Sequence, residues 1–115
     1  MNMQRRKPFT CNNGLTFSLQ TGSFMYCSPR DDTGPWHEVE LAFPSKVVPT
    51  LLPFAENRDN PTESIYPFVP TWIVMEMIEL NGGLIAEDAD RFITTLVMKG
   101  SEYKQHIVSE LSHSA

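Results

Sequence analysis

The chain has 115 residues, 41% hydrophobic and 20% charged, with a formal net charge of −5. That length supports one hydrophobic core but not two, and the composition excludes a globally disordered chain. Acidity is concentrated: twelve carboxylates lie between Asp31 and Asp90, against two basic residues, Lys46 and Arg58. The middle of the chain should therefore repel nucleic acid and attract a basic protein surface.

Residues 1–10, carrying Arg5, Arg6 and Lys7, read as a basic flexible arm, and residues 11–115 as a single domain. Pro8-Phe9-Thr10-Cys11-Asn12-Asn13-Gly14 occupies the place where a signal peptide needs an apolar segment. No apolar run exceeds the four residues of Trp72 to Met75, far short of the ~20 of a membrane span. We therefore expect a cytoplasmic protein, without membrane association, that keeps Cys11 and Cys27 as reduced thiols.

Asn12-Asn13-Gly14 signals a turn, after which Leu15, Phe17 and Leu19 alternate with Thr16 and Ser18. A two-residue Thr21-Gly22 loop would fold Phe24–Ser28 back on this strand, setting Leu19 opposite Phe24 and Phe17 opposite Tyr26. Ser28–Pro35 is rich in turn formers, with Asp31 and Asp32 at its centre. Residues 36–43 alternate again: His37, Val39, Leu41 and Phe43 share one face, and Trp36, Glu38, Glu40 and Ala42 the other. This pattern predicts a half-buried strand with two carboxylates outward.

Six of the nine prolines fall between Pro44 and Pro70, predicting extended segments and short turns. Val48-Pro49-Thr50-Leu51-Leu52 is echoed by Val69-Pro70-Thr71-Trp72-Ile73, each with a proline suited to a first helical turn. With Thr50 as N-cap, the first copy gives a short helix limited by Pro53. Residues 65–69 should be extended, with Pro67 confining them to a sheet edge.

A helix is predicted over 70–81, so apolar that most of its sides should be covered, and Asn81-Gly82-Gly83 should end it. Asp88 can cap a second helix over 88–99, which Phe92, Ile93, Leu96 and Val97 favour over the competing strand. A third helix is read over 101–111, with Tyr103, Ile107, Val108 and Leu111 as its stripe. The fold class is α+β: a small antiparallel sheet with helices packed on it.

Chemistry-bearing patterns are sparse. His37, His106 and His113 are scattered and no Cys-x-x-Cys or His-x-x-x-His is present, so no metal or other cofactor is expected. Cys27 and His37, at the ends of neighbouring predicted strands, are the only candidates for nucleophilic catalysis. Against them, Glu38 and Glu40 face away from His37 in a regular strand. A helix–turn–helix over Pro70–Lys99 would place Glu87, Asp88 and Asp90 where phosphates should sit, which argues against direct DNA binding.

The reading that remains is a non-catalytic interaction domain. Asp31, Asp32, Glu38, Glu40, Glu76 and Glu79 would meet a basic surface, and exposed aromatic residues such as Trp36 or Tyr66 would anchor it. In kind, small acidic chains without motifs resemble phage or mobile-element accessory proteins with anti-defence roles. Such a protein would act as an inhibitor, occluding the nucleic-acid-binding surface of its partner. The alternatives are a small Cys/His-dependent hydrolase or transferase and a homo-oligomeric assembly protein, a homodimer for instance. Glu87, Asp88 and Asp90 have a local role at a helix start, whereas Glu38, Glu40, Glu76 and Glu79 have none and are the first choice for a binding site.

Overall fold

The alternation predicted over residues 36–43 is realised in part, in β3, Glu38–Ala42: Val39 and Leu41 are fully buried, but Trp36 and Ala42 of the expected outer face are buried too and His37 is exposed. The computed structural model describes residues 7–96. Four antiparallel strands lie in the order β1 (Phe9–Thr10), β2 (Thr16–Gln20), β3 and β4 (Ile65–Pro70). Two helices follow, α1 (Thr71–Leu80) and α2 (Ala86–Leu96). The α+β class is as predicted, and the third helix, 101–111, lies outside the described residues.

Asn12-Asn13-Gly14 turns the chain as expected. Gly14 takes φ 98° and donates to the Cys11 carbonyl, while the Asn13 carboxamide oxygen accepts the Leu15 N–H. The strands that this turn joins differ from the predicted pair. Phe9 lies opposite Phe17 and Thr10 opposite Thr16, so Phe9 and Thr10 belong to the sheet and not to a mobile arm. On its other edge β2 pairs with β3, Leu19 opposite Leu41 and Gln20 opposite Glu40.

With both edges of β2 taken, the hairpin through Thr21-Gly22 does not form. Leu15, Phe17 and Leu19 are buried as their alternation required, but Phe24 is 89% exposed. Residues 21–27 leave the sheet as a loop, and Ser28 returns to bridge Glu38.

One irregularity shapes the rest of the sheet. Val39 pairs with Val69 and Leu41 with Tyr66, so the single residue Glu40 opposes both Pro67 and Phe68. This is a β-bulge, and Phe68 enters the left-handed region at φ 52° to make it. The extra residue shifts the pleat by one position, turning both Tyr66 and Val69 inward. Tyr66 is fully buried, its hydroxyl donating to the Pro61 carbonyl at 2.6 Å, and it is not the exposed anchor expected. β4 is an edge strand, as Pro67 requires.

Pro49–Phe54 is a single 3-10 helix with Pro49 at its start and Val48, not Thr50, as its cap. Pro70 likewise stands immediately before α1, whose end follows the glycine logic. Gly83 donates to the Ile78 carbonyl and Gly82 to that of Glu79, both glycines at positive φ, which is a Schellman closure. Leu84 then turns into the core beside Cys11.

The helix reading of residues 91–96 holds, but α2 starts at Ala86, ahead of the predicted Asp88 cap. Asp88 lies within the first turn, 1% exposed, and its carboxylate accepts the Thr10 N–H of β1 at 2.8 Å and two Arg91 contacts at 3.1 and 3.3 Å. It ties a helix to a strand instead of capping the helix locally.

Burial moves two groups to the basic side of their ordinary range. Burial, reinforced by the Asp88 carboxylate, pushes the Cys11 thiol up to about 11, and burial also raises the Tyr66 hydroxyl. Both groups release their protons more readily in the unfolded chain. The stabilising contribution of Cys11 is therefore complete below pH 9 and lost as pH climbs through about 11, and that of Tyr66 is likewise lost on the basic side. Urea melts across this range should show a falling midpoint, and the Cys11→Ala variant a shallower fall. A midpoint independent of pH would contradict the assignment.

Candidate protein-interaction surface

The exposed side of α1 is the clearest uncommitted surface. Thr71 fixes the start of the helix, its hydroxyl donating to the Trp36 carbonyl and its N–H to that of His37. Val74, Met77 and Ile78 form the inward face. The outward face carries Trp72, Glu76, Glu79 and Leu80, with Trp72 65% and Leu80 72% exposed. The helix is covered over most of its circumference as expected, with Ile73 and Met75 half-buried beside the inward face, and these four residues form its one exposed strip. Trp72, Glu76 and Leu80 follow at four-residue steps, about 6 Å apart along the axis, with Glu79 beside them. The Glu76 and Glu79 carboxylates make no hydrogen bond or ion pair with the described residues.

Beside Leu80 the surface is concave. Leu15, Val47, Val48, Pro49, Met77 and Leu80 line a groove of about 310 Å³, with Lys46, Thr50 and Asn81 also at its walls. Val47 is 53% exposed at the mouth. No sequence signal marked this groove, because its walls come from the β1–β2 turn, from residues 46–48 with the start of the 3-10 helix, and from the end of α1.

The second predicted acidic surface, the outer face of β3, is partly built over. The loop 21–27 crosses it: the Glu40 carboxylate accepts the Tyr26 N–H, and the Tyr26 carbonyl accepts the Phe68 N–H. The Tyr26 and Phe68 rings meet at 5.9 Å and Arg30 lies 5.6 Å over Tyr26. Glu40 therefore has a structural role in holding the loop. Glu38 is half-buried and pairs with Ser28 through its backbone, while its carboxylate makes no hydrogen bond or ion pair with the described residues.

Asp31 and Asp32 serve the loop as well. Asp31 accepts the Thr33 and Gly34 N–H groups, which hold its carboxyl below the usual carboxylate range, and Asp32 accepts the N–H and hydroxyl of Ser23. Trp36 is 8% exposed, donating to the Asp31 carbonyl and packed so closely on Gly34 that a Cβ there would lie 2.6 Å from its ring. It is a core residue, contrary to its expected role as an anchor.

The weak catalytic pair is adjacent in backbone but not in chemistry. Ser28, next to Cys27, pairs with His37 and Glu38. The Cys27 thiol, however, is buried and donates towards the Gly22 and Pro29 carbonyls, while the His37 side chain is exposed. No hydrogen bond joins them. Among the described residues no three His, Cys, Asp or Glu side chains converge as metal ligands. None of the described helices is long and apolar enough to cross a membrane. No protein-family model, curated protein or solved structure matches the chain significantly.

Proposed function

We propose that the chain is a non-catalytic interaction domain that docks on a basic surface of a partner protein through the outer face of α1. The observation that carries this reading is the pairing of an exposed tryptophan, Trp72, with two uncommitted carboxylates, Glu76 and Glu79, on one helical face. Large aromatic residues dominate binding energy once desolvated, and flanking charge steers the encounter. One form of this function is inhibition, with the carboxylates occupying a partner's phosphate-binding positions. Pairing of two copies through β4 has less support. Pro67 and Pro70 lack N–H donors, the bulge distorts the strand, and the Ile65 carbonyl already accepts the Glu56 N–H.

The test is affinity capture from an extract of the source organism, at low and high salt, with the wild type and with Glu76→Lys/Glu79→Lys and Trp72→Ala. A partner retained by wild type at low salt should be released at high salt. It should bind the charge-reversed variant at least about tenfold more weakly. Equal capture by all three proteins would remove α1 from the interface.

A further inference from the structure

The helix face and the groove together describe the shape of the ligand as well as its charge. We infer that the partner presents a basic amphipathic helix, laid along α1, that inserts one aliphatic side chain into the groove between Leu80 and Val47. This inference rests on the α1 reading above and adds the form and register of the partner.

Three observations point the same way. Trp72, Glu76 and Leu80 lie in a straight row with a step of about 6 Å, so a second helix running beside α1 meets them at successive turns. The row changes character along its length, from aromatic to acidic to aliphatic, and its aliphatic end opens into the groove. A groove of about 310 Å³ admits an aliphatic side chain, and its apolar walls offer such a group desolvation on several sides.

The charges set the register. Cations of the ligand belong one turn from the anchor, against Glu76 and Glu79. Lys46 stands at the groove's own edge, so the anchor end of the ligand should carry no lysine and should suit the negative, carbonyl end of a helix. A ligand that is basic throughout satisfies α1 but not the groove. A ligand with leucine at the anchor and lysines one turn away satisfies both.

The probe is a synthetic amphipathic helical peptide of that design, labelled for fluorescence anisotropy. Two companions accompany it, one with alanine at the anchor and one with glutamates replacing the lysines. They are titrated against wild type, Leu80→Asp, Val47→Asp and Glu76→Lys/Glu79→Lys. All four substituted positions are exposed, and far-ultraviolet circular dichroism checks that the fold is kept.

We expect the wild type to bind the leucine peptide at least about tenfold more tightly than either companion, and each variant to lose a similar factor. If charge reversal weakens binding but the groove variants and the alanine peptide do not, the groove inference fails while the acidic α1 interface stands. If the charge-reversed variant binds as well as wild type, both fall; if wild type binds no peptide, the helical-ligand inference fails and the α1 interface is decided by the capture experiment.

Discussion

Replacing Phe9 with alanine is expected to destabilise the protein by about 3–5 kcal/mol, the cost of deleting a fully buried aromatic side chain. Phe9 is 1% exposed in a strand of only two residues, yet it joins three elements. Its ring stacks on Phe17 of β2 at 5.9 Å, meets Phe92 of α2 edge-on at 5.8 Å, and lies 3.9 Å beneath the Arg91 guanidinium. The alanine variant leaves a cavity at the point where sheet and α2 meet, and with it a cation stripped of its aromatic partner. Phe9→Leu should cost under about 1.5 kcal/mol, because volume is nearly retained. Urea denaturation of both variants checks this. A loss below about 1 kcal/mol for Phe9→Ala would mean that β1 is dispensable.

Asp88→Ala should cost about 2–4 kcal/mol. The carboxylate is 1% exposed and satisfies the Thr10 N–H together with two Arg91 donors. Its removal leaves a part-buried amide unpaired and a cation without its counter-charge. Arg91 softens the loss, since its side chain is 28% exposed and still donates to the Lys7 and Pro8 carbonyls. Asp88→Asn keeps an acceptor for Thr10 and should fall between. Because Phe9 and Asp88 share Arg91, the double variant should lose less than the two single losses combined. Strict additivity in chemical denaturation would show that the ring and the carboxylate act independently.

The elements legible in the sequence were those that local pattern decides. The alternation around Val39 and Leu41 defined β3, and Asn81-Gly82-Gly83 marked the end of α1 because the left-handed conformation has few alternatives. The misreadings share a cause, which is partners distant in the chain. Thr21-Gly22 suits a tight hairpin locally, but that edge of β2 is taken by β3, whose paired residues are twenty or more positions away.

Tyr66 and Val69 sit at positions of opposite parity, and no simple alternation places both inward. Only the bulge at Phe68 does so. Asp88 has the local signature of a cap, while its main partner, Thr10, is 78 positions earlier. For the interaction surface, the carboxylates Glu76 and Glu79 were readable as a polar stripe. The exposure of Trp72 was not, because an apolar residue on a nearly all-apolar helix gives no sign of which side faces water.

The contacts of Lys7 and Pro8 with Arg91 join the two ends of the described chain across 84 and 83 positions. During synthesis this closure must wait for Arg91 to emerge. Phe9 leaves the ribosome early but has no ring from α2 to pack against until Phe92 has followed it. β1 must therefore wait, half-packed, while almost the whole of the described domain is made. The sheet's first strand in sequence is thus the last to be secured, and a nascent chain stalled before α2 would hold an incomplete core with an apolar seam open to other molecules.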